Sequence, residues 1–219
     1  MVSTDSELAI GRVPASDYAA ARRLVASAFA REPFAFGMFG DSALARFAGM
    51  VHHYETWPDA PNPVVLGAST GGHLVAVAFA TLPGECGLCD APLPALGADV
   101  DKAERIEYEF QLASQRAHRG NDLGQHARIE TVVTEPTLHG SGIGRVLMAA
   151  MIDDLRERKV RCVVLECLTT RTGFYELFGF RSVDEFDDPS GPGLRMVLMK
   201  SQYDPGARTP SSGNASSGP

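Results

Sequence analysis

The sequence predicts an α/β fold, a mixed β-sheet with helices on both faces. Three observations carry this. A hairpin pattern lies in the N-terminal half, strands alternate with helices in the C-terminal half, and residues 128–134 show the mixed apolar pattern of a strand covered on both sides.

The elements follow in order. Residues 8–13 read as a short strand, and Ser16 or Asp17 caps a helix running through Ala19, Leu24, Val25, Ala28 and Phe29 until Pro33 ends it. An aromatic turn follows (Phe34, Phe36, Phe39). Asp41 or Ser42 then opens a second helix, with apolar residues Leu44, Phe47, Ala48 and Val51, that stops before Pro58. Strands over 64–68 and 73–82 are joined by Ser69-Thr-Gly-Gly72, a turn suited to an antiparallel hairpin. After a Pro/Gly-rich loop over 83–97 come a helix over 99–118 and the strand over 128–134. Residues 141–158 form a helix with one apolar stripe (Ile143, Leu147, Ala150, Met151, Leu155), 163–168 a buried strand, and 172–178 a short helix. Two strands near 180–186 and 193–200 complete a single domain over 1–200. From Ser201 the chain is Ser, Gly, Pro, Thr and Asn with almost no apolar side chains, so 201–219 is predicted to be a disordered tail that burial cannot order.

Composition narrows the function classes. The chain has 219 residues and a net charge of −7, and its basic residues are scattered rather than aligned along a surface that could neutralise phosphates. Nucleic acid is not an expected partner. No stretch approaches the ~20 apolar residues of a membrane span, and Met1-Val-Ser-Thr-Asp-Ser-Glu7 lacks the regions of a signal peptide, so a cytoplasmic location is expected. Cys162 and Cys167 lie in an apolar run and read as small core residues. Cys86-x-x-Cys89 has metal or redox spacing, but no second pair or histidine cluster stands near it, so it reads as loop. Neither a disulfide nor a metal is expected.

The richest segment is Thr131-Val-Val-Thr-Glu-Pro-Thr-Leu-His-Gly-Ser-Gly-Ile-Gly-Arg145. It places a strand, a proline turn and three alternate glycines directly before a helix. Such a junction offers orphan backbone N–H groups and the positive end of the helix dipole to an anion, and glycines let a pyrophosphate approach the backbone. Gly140-x-Gly142-x-Gly144 is neither G-x-G-x-x-G nor a P-loop, since position 145 is Arg. A nucleophile elbow fails because His139 stands two residues before Ser141.

The segment resembles motif A of the GNAT N-acetyltransferase superfamily, Q/R-x-x-G-x-G/A, with His139 at the Gln/Arg position and Gly142 and Gly144 as the motif glycines. Phe174-Tyr-Glu-Leu-Phe-Gly-Phe180 looks like the same family's F-Y-x-x-x-G-F, although the asparagine many members carry before it is replaced by Arg171-Thr-Gly173. The resemblance implies a mostly antiparallel sheet of about seven strands, splayed between strands ending near Thr134 and Leu168. It further implies acetyl-CoA as cosubstrate, held by Val132, Val133, Thr134, His139, Gly140, Ser141, Gly142, Ile143, Gly144, Arg145 and Phe174. The backbone N–H groups of Val132 to Thr134 would face the acetyl carbonyl, and Tyr175 would protonate the leaving thiolate; its alternative is packing of the short helix.

Direct transfer in a ternary complex also needs a base. Glu130, on the strand facing the thioester, is the first choice; an ion pair with Arg128 is its structural alternative. Glu107, Glu109 and His126 are further candidates. The acceptor site is expected between residues 29–39 and 104–115. The layout is similar to puromycin N-acetyltransferase and related antibiotic-modifying enzymes, which implies a small-molecule primary amine as acceptor. A lysine or protein N-terminus is the alternative within the enzyme class, and a non-catalytic acyl-CoA-binding regulatory domain the alternative outside it. The chain is expected to act as a monomer or homodimer.

Overall fold

The computed structural model describes residues 7–203 apart from 59, 91, 92 and 94. Strands β1 (Ala9–Arg12), β2 (Val64–Thr70), β3 (His73–Thr81), β4 (Ala127–Thr134), β5 (Cys162–Leu168), β6 (Arg181–Asp187) and β7 (Arg195–Gln202) form one sheet in the order β1-β2-β3-β4-β5-β7-β6. All neighbours are antiparallel except β4 and β5. The helices are α1 (Tyr18–Phe29), α2 (Pro33–Phe39), α3 (Ala43–His53), α4 (Gly87–Asp90), α5 (Lys102–Gly120), α6 (Ile143–Glu157) and α7 (Thr172–Glu176).

The amphipathic pattern of α6 buries Leu147, Met148, Met151, Ile152 and Leu155 against alternate side chains of β2 to β5, among them Val64, Leu66, Ile129 and Val163. On the other face α1 packs on Val65, Val77, Phe79 and Val133. Its neighbours α2, α3 and α5 join it through Ala26, Ala35, Met38, Met50 and Ile106, and the far end of α5 packs near Val164 and Leu198. A capping box, Asp101 with Glu104, starts α5. The mixed sheet with helices on both faces is the one the sequence predicts.

Three local expectations are corrected. Pro33 does not lead into an aromatic turn but occupies the first position of α2, where its missing N–H costs nothing. The hairpin loop tightens to Gly71 and Gly72, whose φ of 55° and 79° only glycine adopts freely, so β2 continues through Thr70. Helix α3 forms where expected, capped by Ser42, but turns its apolar stripe outward: Leu44, Phe47 and Val51 are exposed while Arg46 and Met50 are buried. Arg46 is buried because its guanidinium donates to the carbonyls of Ala30, Gly40 and Asp41, satisfying the backbone that leaves α1 and α2. Strand β7 runs two residues past 200; of the predicted tail, 204–219 lie outside the described residues.

Strands β4 and β5 pair only from Ala127–Ile129 to Val163–Leu165 and then diverge. The register between β3 and β4 also slips: Phe79 pairs with Thr131 and Ala80 with Ile129, leaving Glu130 as the extra residue of a bulge. Ile129 before the bulge and Val132 after it both face the α6 core, and Val133 faces the α1 core. The bulge therefore moves β4 out of step at the point where the splay begins.

Candidate functional site

The splay opens into a cleft of about 990 Å³. Its floor is the half of β4 that pairs with β3 but has no β5 partner, where Val132, Val133 and Thr134 line the space. The glycine loop forms the adjoining wall, from His139 and Gly140 to Gly142, Ile143, Gly144 and Arg145.

Each glycine of the loop has a separate reason. Gly140 and Gly142 take φ of 81° and 85°, in the left-handed region. Gly144 sits so close to β4 that a Cβ would stand 3.2 Å from Thr134 Oγ1. Among the described residues the N–H groups of Gly140, Gly142, Ile143 and Gly144 make no hydrogen bond to a backbone acceptor, so four donors stand at the start of α6 beside exposed Arg145. That set fits a pyrophosphate. Two predicted contacts turn inward: His139 Nε2 lies 3.2 Å from the Thr134 carbonyl, and the Ser141 hydroxyl donates to Leu138 at 2.6 Å. Ser141 does not line the cleft; its hydroxyl and N–H both close the turn that shapes the loop.

Facing the loop across the splay are Cys167 and Leu168 of β5 and Phe174 and Tyr175 of α7. The Tyr175 ring stands edge-on to Phe174 with centroids 5.0 Å apart. Burial, and next the neighbouring Cys167, push the Tyr175 phenol well above its ordinary value, so it holds its proton at neutral pH. Burial likewise raises the Cys167 thiol to about 12.

At the inner end lie Arg128, Glu130 and Glu166. Arg128 Nη2 contacts Glu166 Oε2 at 2.7 Å, and Nη1 lies 3.7 Å from Glu130 Oε1. Arg128 is thus shared, with the buried Glu166 its tighter partner. Burial drives the Glu166 carboxyl upward, but Arg128, His118 and Ser114 overcome it and hold it at about 2. Glu130 has the weaker share: burial raises its carboxyl above the ordinary range, Arg128 pulls it back, and the charges of Cys86 and Glu166 push it up again. A carboxylate with a raised pKa is a stronger base.

Of the other predicted bases, Glu107 lines the cleft, where Gln111 donates to it at 2.7 Å and His53 lies 3.8 Å away. Glu109 is exposed and does not line it. His126 is buried outside the cleft, with Nδ1 2.9 Å from the Gly124 carbonyl.

The expected acceptor segments do meet here, through Phe29, Phe34 and Met38 on one side and Ile106 and Phe110 on the other. Phe36 and Phe39 do not; Phe36 lies instead under the Arg46 guanidinium at 3.7 Å. Sequence reasoning missed Tyr54 and Trp57, which line the cleft from the end of α3. Tyr54 stacks on Phe29 with centroids 5.6 Å apart. It also missed the ion pair between Glu32 and Arg171, 3.0 Å, which ties the turn before α2 to the turn after β5. Only a tertiary contact joins those two positions, and nothing local marks it.

Cys86 was expected to have no histidine cluster near it. The structure corrects this: His118 Nδ1 lies 3.8 Å from its sulfur, and Cys86, His118 and His126 form one buried group. Burial raises the Cys86 thiol, but hydrogen bonds to both imidazoles and the charge of Arg128 outweigh it and bring it down to about 5. The side chain of Cys89 lies outside the described ones.

The model of the acetyltransferase (GNAT) family matches residues 34–180 of this chain. No curated protein matches it in sequence. Among solved structures it is similar to a yellow fever mosquito protein assigned as arylalkylamine N-acetyltransferase 7, with a TM-score of 0.67 and 16% identity over 90% of this chain and 88% of that one. It is also similar to a histone acetyltransferase HPA2 and related acetyltransferase from Corynebacterium glutamicum (TM-score 0.59, 15% identity, 91% and 99% covered). A third is the ribosomal-protein-S18-alanine N-acetyltransferase of Escherichia coli (TM-score 0.52, 15% identity, 90% and 94% covered). At these identities the likeness is one of fold. No helix among the described residues is long and apolar enough to cross a membrane.

Proposed function

The chain belongs to the acetyltransferase (GNAT) family, and on that premise we propose that it transfers an acetyl group from acetyl-CoA to the primary amine of a small molecule. The observation that carries the reading is the meeting, in one cleft, of an anion-binding glycine loop, an unpaired strand edge, a protonated phenol and an aromatic, acid-bearing recess.

Acetyl-CoA supplies the acetyl group as a thioester. The N–H groups of Gly140, Gly142, Ile143 and Gly144 bind its pyrophosphate, with Arg145 adding charge. Val132 and Thr134, whose N–H groups lie on the edge of β4 away from β3, direct them at the carbonyl oxygen and stabilise the charge that develops there, an effect worth about 3 kcal/mol per good donor. Glu130, directly or through one water, takes a proton from the ammonium group so that the neutral amine can attack. As the C–S bond breaks, Tyr175 gives its proton to the departing sulfur, and the second proton of the nitrogen returns to Tyr175 through water, so that one proton, the one taken by Glu130, is released per turnover. No covalent enzyme intermediate is needed.

The acceptor side favours a small amphipathic amine. Phe29, Phe34, Tyr54 and Trp57 suit an apolar or aromatic body, and Glu107 and Glu130 suit a cationic end. The Glu32–Arg171 pair ties together two segments that line the cleft, an arrangement suited to a compact substrate rather than to an extended peptide. The test is acetyl-CoA turnover, read as free thiol, over aromatic amines, aliphatic amines and lysine peptides. Release with aromatic or other small amines supports the proposal. Release with peptides alone would make this a protein acetyltransferase, and binding of CoA without release on any amine a non-catalytic domain. Tyr175→Phe should lower kcat about 10²-fold with little change in KM for acetyl-CoA; unchanged turnover would remove Tyr175 as the acid.

A further inference from the structure

Behind the inner end of the cleft, three metal-ligating side chains from separate parts of the chain meet in the interior. Cys86 precedes α4, His118 lies in the last turn of α5, and His126 stands immediately before β4. They are 5%, 3% and 3% exposed, and one donor atom from each lies within 4.8 Å of the others.

The outer contacts orient the rings as a metal site requires. His126 Nδ1 lies 2.9 Å from the Gly124 carbonyl; as a donor to that oxygen it leaves Nε2 with the lone pair. His118 directs Nε2 toward Glu166 Oε1 at 3.5 Å and Nδ1 toward Cys86 Sγ at 3.8 Å. Glu166 is itself held by Arg128 and Ser114. Imidazole ligands of metals carry this kind of carbonyl or carboxylate partner on the far nitrogen, which selects the tautomer and aims the ring. A zinc ion with bonds of about 2.3 Å to sulfur and about 2.0 Å to nitrogen separates tetrahedral S and N ligands by about 3.5 Å, near the 3.8 Å between Cys86 Sγ and His118 Nδ1.

We propose that Cys86 Sγ, His118 Nδ1 and His126 Nε2 form a binding site for one divalent transition-metal ion of the zinc class, with water as fourth ligand. His118 and His126 also line a cavity of about 210 Å³ that shares no lining residue with the cleft, together with Asn121, Asp122 and Gly124, which leaves room for that water. Cys86 is buried and lines neither this cavity nor the cleft, so it does not face the space a substrate would occupy in either. This separates a metal ligand from a thiol nucleophile. Thiolate with two imidazoles suits Zn²⁺ or Co²⁺ rather than Mg²⁺ or Ca²⁺, which take oxygen ligands. The ion would fasten the segment before α4 to the end of α5 and the start of β4. Its outer shell, Glu166 and Arg128, borders the base Glu130. The site stands independently of the acetyl-transfer reading.

The test uses the full-length chain stripped of metal, with Zn²⁺ and Co²⁺ as probes. Zn²⁺ titrated in competition with a chromophoric chelator should bind at one equivalent per chain and raise Tm. Co²⁺ should give a tetrahedral visible spectrum with a near-ultraviolet thiolate charge-transfer band. Cys86→Ser should abolish that band, and Cys86→Ser and His126→Gln should each weaken Zn²⁺ binding by more than the ~10–100-fold that losing an outer-shell partner costs. Cys162→Ser, a buried cysteine elsewhere, should change neither. Absence of stoichiometric Zn²⁺ binding would overturn the proposal, as would an octahedral Co²⁺ spectrum without the charge-transfer band in the wild-type chain. The second readout needs no variant to fold.

Discussion

At the scale of single residues the site turns on one guanidinium divided between two carboxylates. Arg128 is closer to Glu166 than to Glu130, so Glu166 stays ionised while burial lifts Glu130. For a base, kcat/KM falls as pH drops through the carboxyl pKa, and for Glu130 that fall should lie above the ordinary glutamate value of about 4.3. Glu130→Gln should remove this limb of the profile and lower kcat/KM by about 10²–10³-fold; an unaltered pH profile would assign the role to Glu107 or to solvent. The stability sign is opposite. A carboxyl whose folded pKa is raised is favoured in its protonated form, and its contribution is lost as pH rises through the folded pKa, so Glu130→Gln should raise Tm or leave it unchanged at pH 7.

At the scale of elements, the loop before α6 and the face of α3 make the clearest demands. Gly142 has φ of 85°, so Gly142→Ala should cost about 1–2 kcal/mol in urea unfolding and should raise KM for acetyl-CoA, since its own N–H and that of Ile143 are among the four free donors. On α3 the burial order inverts the usual expectation for apolar and charged residues. Leu44 is 78% exposed and Arg46 9%, so Leu44→Ala should fall within about 0.5 kcal/mol of wild type. Arg46→Ala should cost about 2–3 kcal/mol, because three backbone carbonyls lose a charged donor. Urea melts of the two variants check this directly, and equal losses would mean the helix packs by its apolar stripe after all.

At the scale of the whole molecule, the sheet is joined tightly at β2-β3-β4 and β5-β7-β6 and weakly where these halves meet, through three residue pairs of β4 and β5. Side chains reinforce that seam. Arg128 of β4 pairs with Glu166 of β5, and Glu166 reaches Ser114 and His118 of α5. Arg128→Met should therefore destabilise the fold by about 3–5 kcal/mol, since it strands a buried carboxylate, with loss of activity following from the fold as well as from the site. A drop in activity at full stability would instead place Arg128 in the chemistry alone.

Much of this was legible in the chain itself. Strand alternation, the apolar stripe of α6, the hairpin glycines and the glycine loop depend on periodicity and backbone preference within a few residues, and such short-range rules act before any tertiary contact exists. What they could not supply was pairing between distant positions. That Glu130 is the bulge residue depends on the register against Phe79 and Ala80. That Arg46 turns inward depends on carbonyls left open by two other helices. That Cys86 meets His118 and His126 depends on where α5 ends relative to β4. Burial, electrostatics and metal geometry at these places are set by packing across the sheet, so the sequence by itself determined the elements and the anion loop, and only the tertiary structure decided which side chains face one another.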